Sequence, residues 1–244
     1  MSPRYHQILG ITFFAGTAQD VIAHICASGG FLVAPSGTCF GRLRDDEPYR
    51  RAMVAADLAI ADSGLMVLMW RMLRREKIRR VSGLKYLGQL LAKLKGEGAP
   101  EIFWVLPSES AREKLLDWAR RETFPVTIGN CYLAPRYGLE IEDRHLLTLL
   151  DQRRPAHVLV AIGSGPQEKL AHYIIERLSY RPVVHCIGAA LGFFIMGDQI
   201  AISDWADRFY LGWLLRFLAQ PRLLRPARSE EGDLHPQWGH WLQR

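Results

Sequence analysis

Asp62 stands where an acid could do chemistry. The run Leu58-Ala59-Ile60-Ala61 is apolar and ends abruptly in Asp62-Ser63-Gly64. It reads as a buried strand whose carboxyl end carries an acid to the rim of a sheet, where open α/β folds bind ligands. A carboxylate at that rim can serve as a general base. An acid just before a helix can equally be an N-cap, and spacing alone leaves both roles open. Three further stretches could border a ligand. Arg80, in Arg79-Arg80-Val81-Ser82-Gly83, lies beside the start of a helix read over Leu84 to Leu94, so it could face a phosphate held at that helix N-terminus. The basic run that it ends is otherwise a solvated face. Gly163-Ser164-Gly165-Pro166-Gln167 follows a strand and puts Pro166 at a first helical position, so its backbone N–H groups could cradle a diphosphate. Gly188-Ala189-Ala190-Leu191-Gly192 follows the next strand and would let a ligand or a helix approach closely. A tight turn with no ligand explains either glycine loop as well.

Other chemistries lack their residues. The eight histidines and four cysteines show neither H-E-x-x-H nor a C-x-x-C pair, which argues against zinc and against a disulfide framework. There is no D-x-D and no G-x-S-x-G elbow. Glu168 occupies the place where a dinucleotide fingerprint wants its third glycine, which disfavours NAD. A protein that handles diphosphates without a metal needs basic side chains and helix N-termini for the leaving-group charge.

The elements that must position these residues alternate. Strands are expected over Ile8 to Phe14, Phe31 to Val33, the Leu58 run, Ile102 to Leu106, Val126 to Tyr132, His157 to Ile162 and Val183 to Ile187. Helices are expected from a Thr17/Asp20 capping box through Ile25, then over Asp45 to Ala56, Leu65 to Leu73, Leu84 to Leu94, Ser108 to Arg121, Glu140 to Gln152 and Gln167 to Leu178. This alternation predicts an α/β fold: a Rossmann-like, mostly parallel sheet with helices on both faces. The 244 residues and the +6 formal charge suit one large domain with anionic partners. Past Gly197 the pattern changes. Trp205, Phe209, Trp213 and Phe217 recur every four residues, and residues 205–228 hold five arginines against one aspartate. That is an amphipathic, basic helical appendage able to meet an anionic membrane surface, or else to dock on the core. The expected division is a catalytic domain over 1–197, the appendage over 198–228 and a loose tail over 229–244. No apolar run reaches the roughly 20 residues that span a bilayer, so the expected location is the cytoplasm, peripheral to the inner face of the cell membrane.

Taken in order, these motifs resemble the WecG/TagA/CpsF glycosyltransferases, glycosyltransferase family 26, from Ile8 to about Arg225. The likeness rests on Ala61-Asp62-Ser63-Gly64, Arg80-Val81-Ser82-Gly83, Gly163 to Glu168, Gly188-Ala189-Ala190-Leu191, and the C-terminal Trp205, Arg208, Trp213, Arg216 and Pro221-Arg222. The resemblance implies inverting, metal-independent transfer of an N-acetylhexosamine, ManNAc or its uronic acid, from a UDP-sugar to a polyprenyl-diphosphate-linked sugar, without a cofactor. It implies Asp62 as base, and Ser36, Arg80, Gly163, Gln167 and Gly188 around the substrates. Arg216, Arg222 and Arg225 would close over the diphosphate. Nucleic acid is not an expected partner, and self-association stays open. Ala34-Pro35-Ser36 stands where the family has Thr-x-Asn, Gly192 where it has an aspartate, and Gly165-Pro166 where it has Pro-Lys. These departures keep a second reading in play, a non-catalytic sugar-nucleotide-binding or scaffold protein of a polysaccharide assembly complex.

Overall fold

The computed structural model of the protein describes residues 5–35, 39–76, 78–98 and 101–196. Ser36, Arg216, Arg222, Arg225, the proposed appendage and the tail lie outside the described residues.

The sheet begins with a correction. The expected strand over Ile8 to Phe14 is a hairpin: β1 (Tyr5–Ile8) and β2 (Ile11–Phe14) pair antiparallel through Leu9-Gly10, both at positive φ. Two consecutive left-handed residues make the tight turn whose twist suits a hairpin. Next come α1 (Ala18–Ser28), β3 (Gly30–Val33), α2 (Cys39–Asp45), α3 (Glu47–Ala55) and β4 (Leu58–Ala59). The Thr17/Asp20 capping box forms as expected. The helix expected over Asp45 to Ala56 is α3 and starts at Glu47, because Asp46 leaves the helical region and its side chain caps α3 at the Tyr49 N–H; α2, just before it, is not among the expected helices.

The chain continues through α4 (Gly64–Arg74), α5 (Gly83–Gly96), β5 (Ile102–Leu106), α6 (Glu109–Glu122), β6 (Cys131–Leu133), α7 (Arg144–Arg153), β7 (His157–Val160), α8 (Pro166–Arg177), β8 (Val183–Cys186) and α9 (Ala189–Met196). The strand expected from Val126 starts only at Cys131. Before it, Ile128–Asn130 is a single 3-10 turn, with the Asn130 side chain bonded to the Thr127 N–H. The glycine loop expected over Gly188 to Gly192 is short, since α9 begins one residue after Gly188.

The eight strands order as β1-β2-β4-β3-β8-β7-β5-β6, and every pairing except β1 with β2 is parallel. β3, β4, β5, β7 and β8 are buried along their whole length, as a sheet covered on both faces requires. Alternate residues serve opposite faces. Leu32, Leu58, Trp104, Leu159 and Val183 join one core with α1, α5, α6 and α9. Phe31, of the other parity, meets His172 of α8, and α8 packs on α3. Helices therefore lie on both faces, as the strand-helix alternation predicts.

One polar line crosses the first core. Tyr86 of α5 is hydrogen-bonded to His185 Nδ1 at 2.8 Å, and His185 Nε2 to His157 Nδ1 at 3.2 Å. All three are buried. Burial pushes both imidazoles below their ordinary pKa, His185 strongly, and each also carries a charge partner that reinforces or offsets it only secondarily.

Candidate active site

β4, β3, β8 and β7 are neighbours, and their registers align Ala59 with Val33, Val33 with Cys186, and Cys186 with Val160. The four carboxyl ends therefore finish level. Just beyond them come Asp62, Ala34-Pro35, Gly188 and Gly163, so the sheet gathers the expected strand-end residues on one rim.

The geometry takes the cap of α4 away from Asp62. The cap of α4 is Ser63, whose Oγ accepts from the Met66 N–H at 3.2 Å. The Asp62 carboxylate turns instead to α5 and accepts from the Gly83 N–H at 3.2 Å. Gly83 is the first residue of α5, whose own cap is Ser82. A half-buried carboxylate is thus held at the positive end of a helix.

Residues 63–82 form an excursion that leaves the rim at Asp62 and returns to it. The return is clasped three times: Arg80 Nε donates to the Asp62 carbonyl at 3.0 Å, the Val81 N–H to the Ala61 carbonyl at 3.2 Å, and Gly83 to the carboxylate. Arg80 is half-buried, so its guanidinium is positioned by the same backbone that presents the acid. A methyl group at Gly83 would lie 3.8 Å from Asp62 Oδ2 and 3.7 Å from Ala190 Cβ, which brings the start of α9 against the acid.

The loop before α8 departs from expectation. Gly163 and Gly165 have φ of +94° and +102°, the open turn that their type allows. Its backbone donors, however, are partly engaged within the protein. The Gly165 N–H donates to Glu168 Oε2 at 2.6 Å, the Gln167 N–H to the Gly163 carbonyl at 3.2 Å, and Pro166 has none. Two of the N–H groups that a diphosphate cradle here would use are thus taken up within the loop itself. Sequence reading missed Glu168 as the filler, although an acid three residues after a cap position is the signal for it. It also missed Arg42, whose Nη1 donates to the Ser164 carbonyl at 2.7 Å and sits where a Cβ on Gly165 would need to be. Glu168 is almost fully buried. Burial pushes its carboxyl pKa up, against the opposing pull of the hydrogen bonds from Gln167 and Gly165.

Gln167 is the residue that this loop delivers. Its Nε2 donates to Glu168 Oε1 at 2.9 Å, and its Oε1, buried, has no hydrogen-bond partner among the described residues. Gly188 packs against that amide: with φ of +48°, it would place a Cβ 3.2 Å from Nε2 and 3.3 Å from Oε1. Asp62, Arg80, Gly83, Gly188 and Gln167 thus lie at or just beyond neighbouring strand ends, giving a carboxylate, a cation and an amide on one rim. Among the described residues no group of three or more His, Cys, Asp or Glu gathers as a metal site. No helix among them is long and apolar enough to cross a membrane. A cavity of about 310 Å³ opens at the opposite end of the sheet, between Gly29, Arg154, His157 and Arg181, and takes no part in this rim.

Comparison with curated proteins finds no match to the chain. Comparison with protein families does: the model described as the glycosyl transferase WecG/TagA/CpsF family matches residues 6–227.

Proposed function

We propose, since the chain belongs to the WecG/TagA/CpsF glycosyltransferase family, that it moves an N-acetylhexosamine, ManNAc or its uronic acid, from a UDP-sugar to a polyprenyl-diphosphate-linked sugar with inversion. Membership makes it a glycosyltransferase of cell-surface polysaccharide synthesis. The donor, the acceptor, independence of metal and work at the inner membrane face are our reading.

In this reading the acceptor hydroxyl attacks the anomeric carbon while Asp62 takes its proton. The bond from that carbon to the phosphate oxygen breaks, and UDP leaves with the electron pair. Arg80 meets the developing charge from the rim, and Arg216, Arg222 and Arg225 would add to it from the appendage. Gln167 Oε1, an unpartnered acceptor, suits a donor group on the sugar or the base. Ser36 would border the same substrates. The observation that carries the proposal is the Asp62 carboxylate held at the α5 N-terminus with Arg80 bonded to its own carbonyl. The test is sugar transfer from UDP-ManNAc and related donors to a lipid-linked acceptor, wild type against Asp62→Asn. Equal rates would reject the role given to Asp62.

One observation favours the second reading, a sugar-nucleotide-binding or scaffold protein: Glu168 occupies the Gly165 donor that a diphosphate would use. In that case UDP raises the melting temperature while no donor turns over across the panel.

A further inference from the structure

The helix next to the acid is built inside out. Leu65, Leu68, Met69, Met72 and Leu73 of α4 fall at i, i+3, i+4, i+7 and i+8, the spacing of a core-facing stripe. All five are exposed, Met72 and Leu73 by 73% and 75%. What α4 buries is its other side, Gly64, Met66 and Val67. A contiguous apolar ridge on an otherwise well-covered fold marks an interaction surface.

The charge around the ridge selects the partner. Residues 64–82 contain six basic side chains against the single acid Glu76. Glu76 is engaged by His6 and by the Trp70 indole N–H. Arg71, Arg74, Arg75 and Arg79 are exposed along the helix and its return. Two copies of the chain meeting through this face would set these arginines against each other, which disfavours a symmetric dimer here. Apolar side chains rimmed by arginine suit the interface of an anionic bilayer, with the ridge among the upper acyl chains and the guanidinium groups among the headgroups.

We propose that α4 is a lipid-docking ridge, distinct from the appendage, that seats the Asp62 rim on an anionic membrane surface. Only Ser63 separates the acid from the helix, so docking would hold the acid close to the headgroup plane. The ridge itself is argued from α4 alone. Its use in bringing Asp62 to a membrane-held substrate rests on the function proposed above.

The test uses the full chain and sedimentation with vesicles of phosphatidylcholine, with and without phosphatidylglycerol. The triple variant Leu68→Gln/Met72→Gln/Leu73→Gln keeps good helix formers in place and should lose at least ~10-fold in partition to the anionic vesicles. Its melting temperature and the rise on adding UDP should match those of the wild type. Arg71→Gln/Arg74→Gln/Arg75→Gln should lose the preference for phosphatidylglycerol. Unchanged partition of the ridge variant overturns the proposal. So does a wild type that ignores both vesicle types, or a ridge variant that melts lower with no loss of partition, the sign that protein covers the ridge. If neither protein responds to UDP nor transfers sugar while the ridge variant still loses partition, the sugar-transfer reading fails and the docking ridge stands.

Discussion

Gly83 donates its backbone N–H to Asp62 Oδ1 over 3.2 Å, so the strand-end acid also seats the first turn of α5. The two duties can be separated. Asp62→Asn keeps an acceptor for Gly83 and loses the base of the proposed reaction, so the turnover number should fall about 10²- to 10⁴-fold with stability little changed. Asp62→Ala loses both and should also cost about 1 kcal/mol in a denaturant titration, as loss of a helix-terminal acceptor does. An Asp62→Asn protein as active as the wild type would make the acid purely structural.

A side chain at Gly188 would press on the Gln167 amide. The glycine's φ of +48° is the left-handed region, and a Cβ would lie 3.2 Å from that amide. Gly188→Ala should therefore destabilise by about 1–2 kcal/mol from the backbone alone. It should also displace Gln167 and shrink the rise in melting temperature given by UDP. A variant that keeps the full UDP response would remove Gln167 from the donor site.

The Tyr86–His185–His157 line predicts an acid limit to stability. Both imidazoles titrate below their ordinary value of 6.5 in the fold because they are buried. The unfolded chain thus binds more protons as pH falls below about 6.5, and the stability present above that pH is lost going down. Glu168 acts in the opposite sense. Its carboxyl is pushed above its ordinary 4.5, so its contribution falls as pH rises past that value. The histidine part is isolated by comparing wild type with Tyr86→Phe/His185→Leu. The stability difference between them should drift in favour of the variant, by up to about 1.4 kcal/mol per pH unit per proton, as pH drops below 6.5. A constant difference from pH 7.5 to 5 would show that His185 takes up its proton in the fold as readily as in the unfolded chain.

Leu9 is exposed and sits at φ of +53° beside Gly10 at +81°. That is the backbone of an Asn-Gly hairpin turn with leucine in the first place. Leu9→Asn should stabilise by about 1 kcal/mol, because asparagine tolerates the left-handed region better and no buried apolar surface is lost. Thermal unfolding checks it, and a lower melting temperature would refute it.

Much of the fold is legible because it is local. The Thr17/Asp20 box, the β5 run Ile102 to Leu106 and the proline at the start of α8 each carry their own signal within five residues. What misled is also local, but silent in a one-letter code. Leu9 gives no hint of a left-handed turn, and sequence reading missed α2, which precedes the Asp46 cap. Thr127 and Asn130 outbid a strand by bonding each other. The site was readable as a set of strand ends but not as a set of bonds. Asp62 and Ser63 are both cap residues, and only the position of α5, twenty-one residues along from the acid, decides which one caps α4. Glu168 looked like a failed third glycine, whereas its place in the fold is that of the loop's own acceptor.

The three bonds that close residues 63–82 onto the rim have a bearing on how this protein can vary. Both ends of that arm are fixed to β4 and α5, and the entropy of closing a loop grows only slowly with its length. Its outer part can lengthen, shorten or change composition while the acid stays where it is. The arm is a replaceable cassette: what its outer turns dock on can change while the place of the acid at its base does not.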